Sequence, residues 1–138
     1  MYITVLNPQE WANVSENAHL TCFYEIRFAH MDRIDFTLVT AKEDVPQAYC
    51  TVRELDSETV YWQYGGAFPS SKNTVNSFAS YKMFRDWCFN NGYERISTYV
   101  ENTNIVMMKM AFKVGFRVIG TRAFKGAVLV ELLNEKET

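Results

Sequence analysis

The run Phe68-Pro69-Ser70-Ser71-Lys72-Asn73-Thr74-Val75-Asn76-Ser77 leads from a strand-like stretch into a helix-like one. Consecutive backbone N–H groups at a helix start, helped by the helix dipole and a lysine, form a site for an anion. Just before this run, Gly65-Gly66 interrupts an aromatic strand. A glycine pair there permits either a bulge that aims an N–H outward or a simple bend. Gln63 and Tyr64 could contact a substrate, yet Tyr61, Trp62 and Tyr64 equally suit packing on a half-buried strand. Groups able to take a proton are scarce. His30 could deprotonate an amine near neutral pH, but a surface position carries more weight. Glu54, Asp56 and Glu58 cluster near a turn, where solvation outweighs catalysis, and Glu101 follows a strand.

A chain of 138 residues suits one domain, residues 1–138, and can bury a core without a metal or disulfide. Fourteen basic residues against sixteen acidic ones give a net charge of −2. With no basic block to follow a phosphate backbone, nucleic acid is not an expected partner. No apolar run approaches the roughly 20 residues needed to span a bilayer, so neither a membrane nor a secretory leader is expected and a cytoplasmic location is. Cys22, Cys50 and Cys88 are far apart and odd in number, with only His19 and His30 to assist. Reduced, buried thiols and no metal site are expected.

Strand-like runs cover Met1 to Leu6, Asp35 to Lys42, Gln47 to Leu55, Thr59 to Phe68, Ile96 to Val100, Phe116 to Thr121 and Ala127 to Leu133. Asn7-Pro8-Gln9-Glu10 reads as a helix start, with Asn7 as cap, Pro8 at the first helical position and Glu10 three residues on. A short helix is expected over Leu20 to Ile26. Longer ones are expected over Thr74 to Asn90, with Val75, Phe78, Ala79, Met83 and Trp87 as its buried face, and over Asn104 to Val114. Asn91-Gly92 ends the former. Ile105, Met108 and Phe112 alternate with Met107, Met110 and Val114 around the latter, giving a soft patch. The order implies a mixed α+β sheet of about seven strands, with helices on both faces and a parallel pair in its middle.

This order and spacing resemble the GNAT superfamily of N-acetyltransferases, in which a strand ends in V-x-P-x-x-R-x-x-G-x-G/A and a helix begins inside that pattern. Ala67, Pro69 and Lys72 fall at the Val, Pro and Arg positions, Val75 at the first glycine and Ser77 at the second small residue. Gly92 sits where the family has a glycine after the helix. Val100, Asn104, Met107, Ala111, Lys113, Gly115 and Phe116 then follow the second motif in register. The resemblance implies that Gly66, Ala67, Phe68, Lys72, Asn73, Thr74, Val75, Asn76 and Ser77 hold acetyl-CoA, its pyrophosphate above all. Asn104 would lie beside the pantetheine arm, and Phe112 near it.

Two departures bear on turnover. Val75 is β-branched where glycine permits close approach to phosphate. Ala111 stands where the family often has the tyrosine that protonates the departing thiolate, and neither it nor Phe112 has a proton to give. Tyr64 and Tyr99 are the substitute phenols. Two readings follow. One is an N-acetyltransferase moving acetyl from acetyl-CoA to an amine of a protein or small molecule, with a backbone N–H near Gly65 to Ala67 polarising the carbonyl. The other is a catalytically inactive GNAT-fold protein acting through a protein partner. That reading resembles some phage-encoded virion or host-modulating proteins, which would place it in the host cytoplasm. An oligomer is compatible with either.

Overall fold

Asn7, Pro8 and Glu10 do what their spacing predicts. In the computed structural model, which describes residues 1–14, 33–68, 71 and 75–137, the Glu10 N–H donates to Asn7 Oδ1 at 2.8 Å and the Asn7 N–H to Glu10 Oε1 at 2.9 Å. This reciprocal capping box satisfies two backbone donors, and residues 8–14 are helical (α1). The helix expected over Leu20 to Ile26 lies outside the described residues, as do His19, Cys22 and His30.

The other elements are β1 (Tyr2–Leu6), β2 (Phe36–Lys42), β3 (Val45–Glu54), β4 (Thr59–Ala67), α2 (Val75–Asn90), β5 (Arg95–Glu101), α3 (Ile105–Lys113), β6 (Arg117–Phe124) and β7 (Ala127–Glu135). The strands form one seven-stranded sheet in the order β1-β2-β3-β4-β5-β7-β6. The expected parallel pair is β4 with β5, from Thr59↔Arg95 to Trp62↔Thr98. Among the described residues no helix is long and apolar enough to cross a membrane, and no group of His, Cys, Asp or Glu could hold a metal ion.

The chain divides into two compact units, one of Met1–Arg53 with Gln63–Phe84 and one of Glu54–Trp62 with Arg85–Thr138. In the first, β2 and β3 are joined through Glu43 and Asp44, both at left-handed φ (51° and 63°). Two such residues give a hairpin turn whose twist matches the strands. Trp11 and Tyr49 form a buried pair with ring centroids 5.0 Å apart, and Leu6, Ile34, Val39 and Phe68 pack on it. The first unit's part of α2 departs from its apolar pattern. Ser80, Tyr81 and Phe84 are buried, whereas Val75 is 82% exposed and Phe78 also faces solvent. Hydrogen bonding accounts for the turn of the helix, because Ser80 Oγ pairs with Thr40 Oγ1 at 2.6 Å and donates to the Asn76 carbonyl at 2.7 Å. A satisfied hydroxyl can be buried at little cost, so counting apolar residues misjudged the face.

In the second unit α2 closes on the expected Asn91-Gly92. Gly92 takes φ 96°, and the Tyr93 N–H donates to the Cys88 carbonyl at 3.2 Å. The end of α3 is a Schellman motif: the Phe116 N–H donates to the Ala111 carbonyl at 3.0 Å and the Gly115 N–H to that of Phe112 at 3.1 Å. Gly115 has φ 107°, and a Cβ there would lie 3.2 Å from Asn134 Nδ2. Trp62 packs edge-on against Phe116, centroids 5.4 Å apart. The β6–β7 hairpin turns on Lys125 and Gly126, again at left-handed φ.

Candidate functional site

The corner from β4 to α2 lies in the first unit and is built on hydroxyls. At Tyr64 the backbone N–H donates to Thr51 Oγ1 at 2.9 Å, and the same hydroxyl donates to the Tyr64 carbonyl at 3.3 Å. A strand residue whose two polar groups both meet a side chain is out of step with a regular ladder. Gly65 follows, and it is a glycine for want of space, since a Cβ there would lie 2.9 Å from Tyr81 Oη and 3.4 Å from the Tyr49 carbonyl oxygen. Gly66, Ala67 and Phe68 are half-buried.

Beyond the strand the chain is pinned at Gln47. The Phe68 N–H donates to the Gln47 carbonyl at 2.9 Å, and the buried Ser71 hydroxyl donates to that same carbonyl. The Ser71 N–H donates to the Phe68 carbonyl at 2.9 Å, closing a turn. Gln47 Oε1 accepts from Asn76 Nδ2 at 3.3 Å, so Asn76, expected at an anion, ties the first turn of α2 to β3. That turn carries no acidic residue to compete for its backbone donors. Lys72, Asn73 and Thr74 lie outside the described residues. Val75 opens α2 with its side chain in solvent, while Ser77 is half-buried. Tyr64 is exposed, and Gln63 Oε1 is buried without a hydrogen-bond partner among the described residues.

The second unit holds the other candidates. Tyr99 packs edge-on against Tyr61, centroids 5.9 Å apart. Asn104 caps α3, with Oδ1 accepting from the Met107 N–H at 3.2 Å, and Phe112 is exposed. Ala111, at the position where a tyrosine was expected, is 4% exposed. The carboxylates near the β3–β4 turn are occupied structurally. Glu54 accepts from the Tyr93 hydroxyl at 2.6 Å, Asp56 from the Glu58 N–H at 2.8 Å, and Glu58 pairs with Arg95 at 3.2 Å. The backbone N–H of Glu58, aided by Thr59 and Arg95, holds the Asp56 carboxyl below its ordinary value. Cys88 is no nucleophile, because burial pushes its thiol up to about 12.

Spacing gave no sign of Thr51, Gln47, Ser71 or Tyr81. The one available hint was Gly65 itself, since a glycine inside an aromatic strand marks close approach by something else.

A strand leading through a pinned turn into a helix start, in a sheet of this order, is the GNAT acyltransferase fold. No protein-family model and no curated protein matches the sequence. Solved structures do match in fold. The ribosomal-protein-S18-alanine N-acetyltransferase of Escherichia coli superposes with a TM-score of 0.78 at 8% identity, over 97% of this chain and 92% of that one. The IAA acetyltransferase of Bacillus cereus gives 0.71 at 12% identity, over 98% and 99%. The Salmonella typhimurium protein yncA, solved with its cofactor acetyl-CoA, gives 0.67 at 13% identity, over 96% and 93%.

Proposed function

We propose that this chain is an N-acetyltransferase that moves acetyl from acetyl-CoA to an amine of a protein or small molecule. The observation that carries the reading is the β4–α2 corner, where an irregular strand end and a helix N-terminus are held in place by Thr51, Gln47 and Ser71. A backbone N–H at that strand end would suit a developing oxyanion, and a helix start without acidic residues suits a pyrophosphate. In this reading the backbone N–H groups of Gly65 to Ala67 polarise the thioester carbonyl. The N–H groups at the start of α2, with Lys72, hold the phosphates, and the resemblance adds Asn104 and Phe112 along the pantetheine. The amine attacks the carbonyl carbon, a C–N bond forms and the C–S bond breaks. The amine loses its proton to water, and the thiolate gains one from Tyr64, Tyr99 or water, since α3 offers no phenol at Ala111.

The lack of a phenol at Ala111 favours a second reading, a GNAT-fold protein without turnover that acts through a protein partner. Calorimetric titration with acetyl-CoA separates the two. Saturable binding lost in Lys72→Glu supports the first reading, and no binding by the wild-type chain refutes it. Val75→Gly should leave binding unchanged, because the valine side chain already stands in solvent.

A further inference from the structure

Tyr81 has no part in the reaction described so far, yet its hydroxyl lies against the strand that does. Its side chain is 4% exposed, and its ring meets Phe84 edge-on with centroids 5.6 Å apart. The phenol oxygen occupies the space a Cβ on Gly65 would need. A side-chain Cβ essentially never comes within 3.0 Å of another heavy atom, and one at Gly65 would lie at 2.9 Å. The Tyr49 carbonyl bounds the same space at 3.4 Å.

On either side of Gly65 the backbone is anchored, at Tyr64 by Thr51 Oγ1 and at Phe68 by the Gln47 carbonyl. Between those anchors run Gly65, Gly66 and Ala67, which have almost no side chain with which to hold themselves. Glycine is the residue most free to wander when nothing packs on it. Tyr81, reaching from the second turn of α2, lies against Gly65 beside the Tyr49 carbonyl.

We propose that Tyr81 is a positioning residue of the acetyl-transfer site: its phenol oxygen, seated against Gly65, sets the backbone of Gly65 to Ala67 in the conformation that polarises the thioester carbonyl. The inference rests on the function proposed above. Tyr81 acts through Gly65 and donates no proton to the reaction.

The test uses the full chain as wild type, Gly65→Ala, Tyr81→Phe and the double variant. Each is assayed for acetyl-CoA hydrolysis by release of free CoA, for acetyl-CoA affinity by calorimetry and for melting temperature. A sub-ångström shift of the strand end should cost Gly65→Ala about tenfold or more in kcat, with affinity held within about threefold. Tyr81→Phe removes the oxygen that the new methyl meets, so the double variant should recover to within about threefold of Tyr81→Phe alone. A purely structural contact would lower the melting temperature without separating kcat from affinity. Wild-type turnover by Gly65→Ala, or a double variant no faster than Gly65→Ala, overturns the proposal. Should Gly65→Ala not fold, Tyr81→Phe decides by itself: reduced kcat at unchanged affinity supports the role, and unchanged kcat removes it. A wild-type chain that neither binds nor hydrolyses acetyl-CoA removes the proposed function and this role together. An active wild type with an indifferent Gly65→Ala removes only the role of Tyr81.

Discussion

Asn104 offers a clean separation of two jobs, because they use different atoms of one side chain. Its Oδ1 accepts from the Met107 N–H at 3.2 Å and caps α3, which leaves Nδ2 to donate elsewhere. Asn104→Ala deletes both. Loss of an asparagine cap costs about 1 kcal/mol. With an unfolding entropy of about 2.1 cal/mol/K per residue, that lowers the melting temperature by about 3–4 °C for a chain of this length. Asn104→Asp keeps the acceptor and adds a negative charge at the positive end of the helix, so stability should stay within about 0.5 kcal/mol of wild type. Aspartate cannot donate, however. If the amide nitrogen meets the pantetheine arm, as the resemblance implies, one hydrogen bond worth about 0.5–1.5 kcal/mol is lost, and acetyl-CoA affinity falls by about 2- to 12-fold. Thermal melts by circular dichroism and calorimetric titration read the two effects separately. An Asn104→Asp protein that melts as low as Asn104→Ala refutes the capping argument. One that binds acetyl-CoA as wild type does shows that Asn104 is a cap and nothing more.

Cys50 and Cys88 should resist alkylation in the folded chain. With its thiol pushed up to about 12, Cys88 holds roughly one part in ten thousand as thiolate at pH 8; peptide mapping after iodoacetamide would read this, and rapid labelling at Cys88 would contradict its burial. Asp56 should contribute to acid stability. Its folded value is depressed below the ordinary 3.8, so its contribution is in place above that pH and disappears as pH falls through the depressed value. The stability difference between wild type and Asp56→Asn, measured in urea, should therefore be constant above about pH 5 and shrink in stronger acid. A difference that stays level throughout would show that the Glu58 N–H does not favour the charged form.

Local chemistry made the ends of the elements legible in the sequence. Asn7 with Glu10 and Asn91-Gly92 each satisfy or turn the backbone within a few residues, and such signals need nothing from the rest of the fold. Element order then led to the sheet. The face of α2 was not legible, because it depends on a partner 40 residues away: Ser80 is buried only because Thr40 lies opposite it. The same holds at the candidate site. Gly66 to Phe68 could be nominated from motif spacing, but Gln47 and Thr51 enter through bonds across the sheet that no periodicity encodes. The side-chain amide of Asn76 reaches Gln47, a contact that motif spacing does not encode.

These long-range bonds also change what the eroded glycine pattern means. Judged from the loop motif alone, Val75 looks like the damage, because a β-branched residue replaces the first glycine. Its side chain nevertheless stands 82% exposed at the head of α2, where a helix start tolerates any residue whose bulk points outward. Gly65 is the tighter position, since a Cβ there would lie 2.9 Å from Tyr81 Oη. The requirement for glycine in this chain thus sits in the strand that would face the reacting carbonyl rather than in the loop that would hold the phosphates. Hydroxyls from Thr51, Ser71 and Tyr81 gather around that strand end, and hydroxyls fix direction where apolar contacts fix only proximity. A corner held this way is suited to orienting a bond, and erosion of the loop motif is weak evidence that the orientation has been lost.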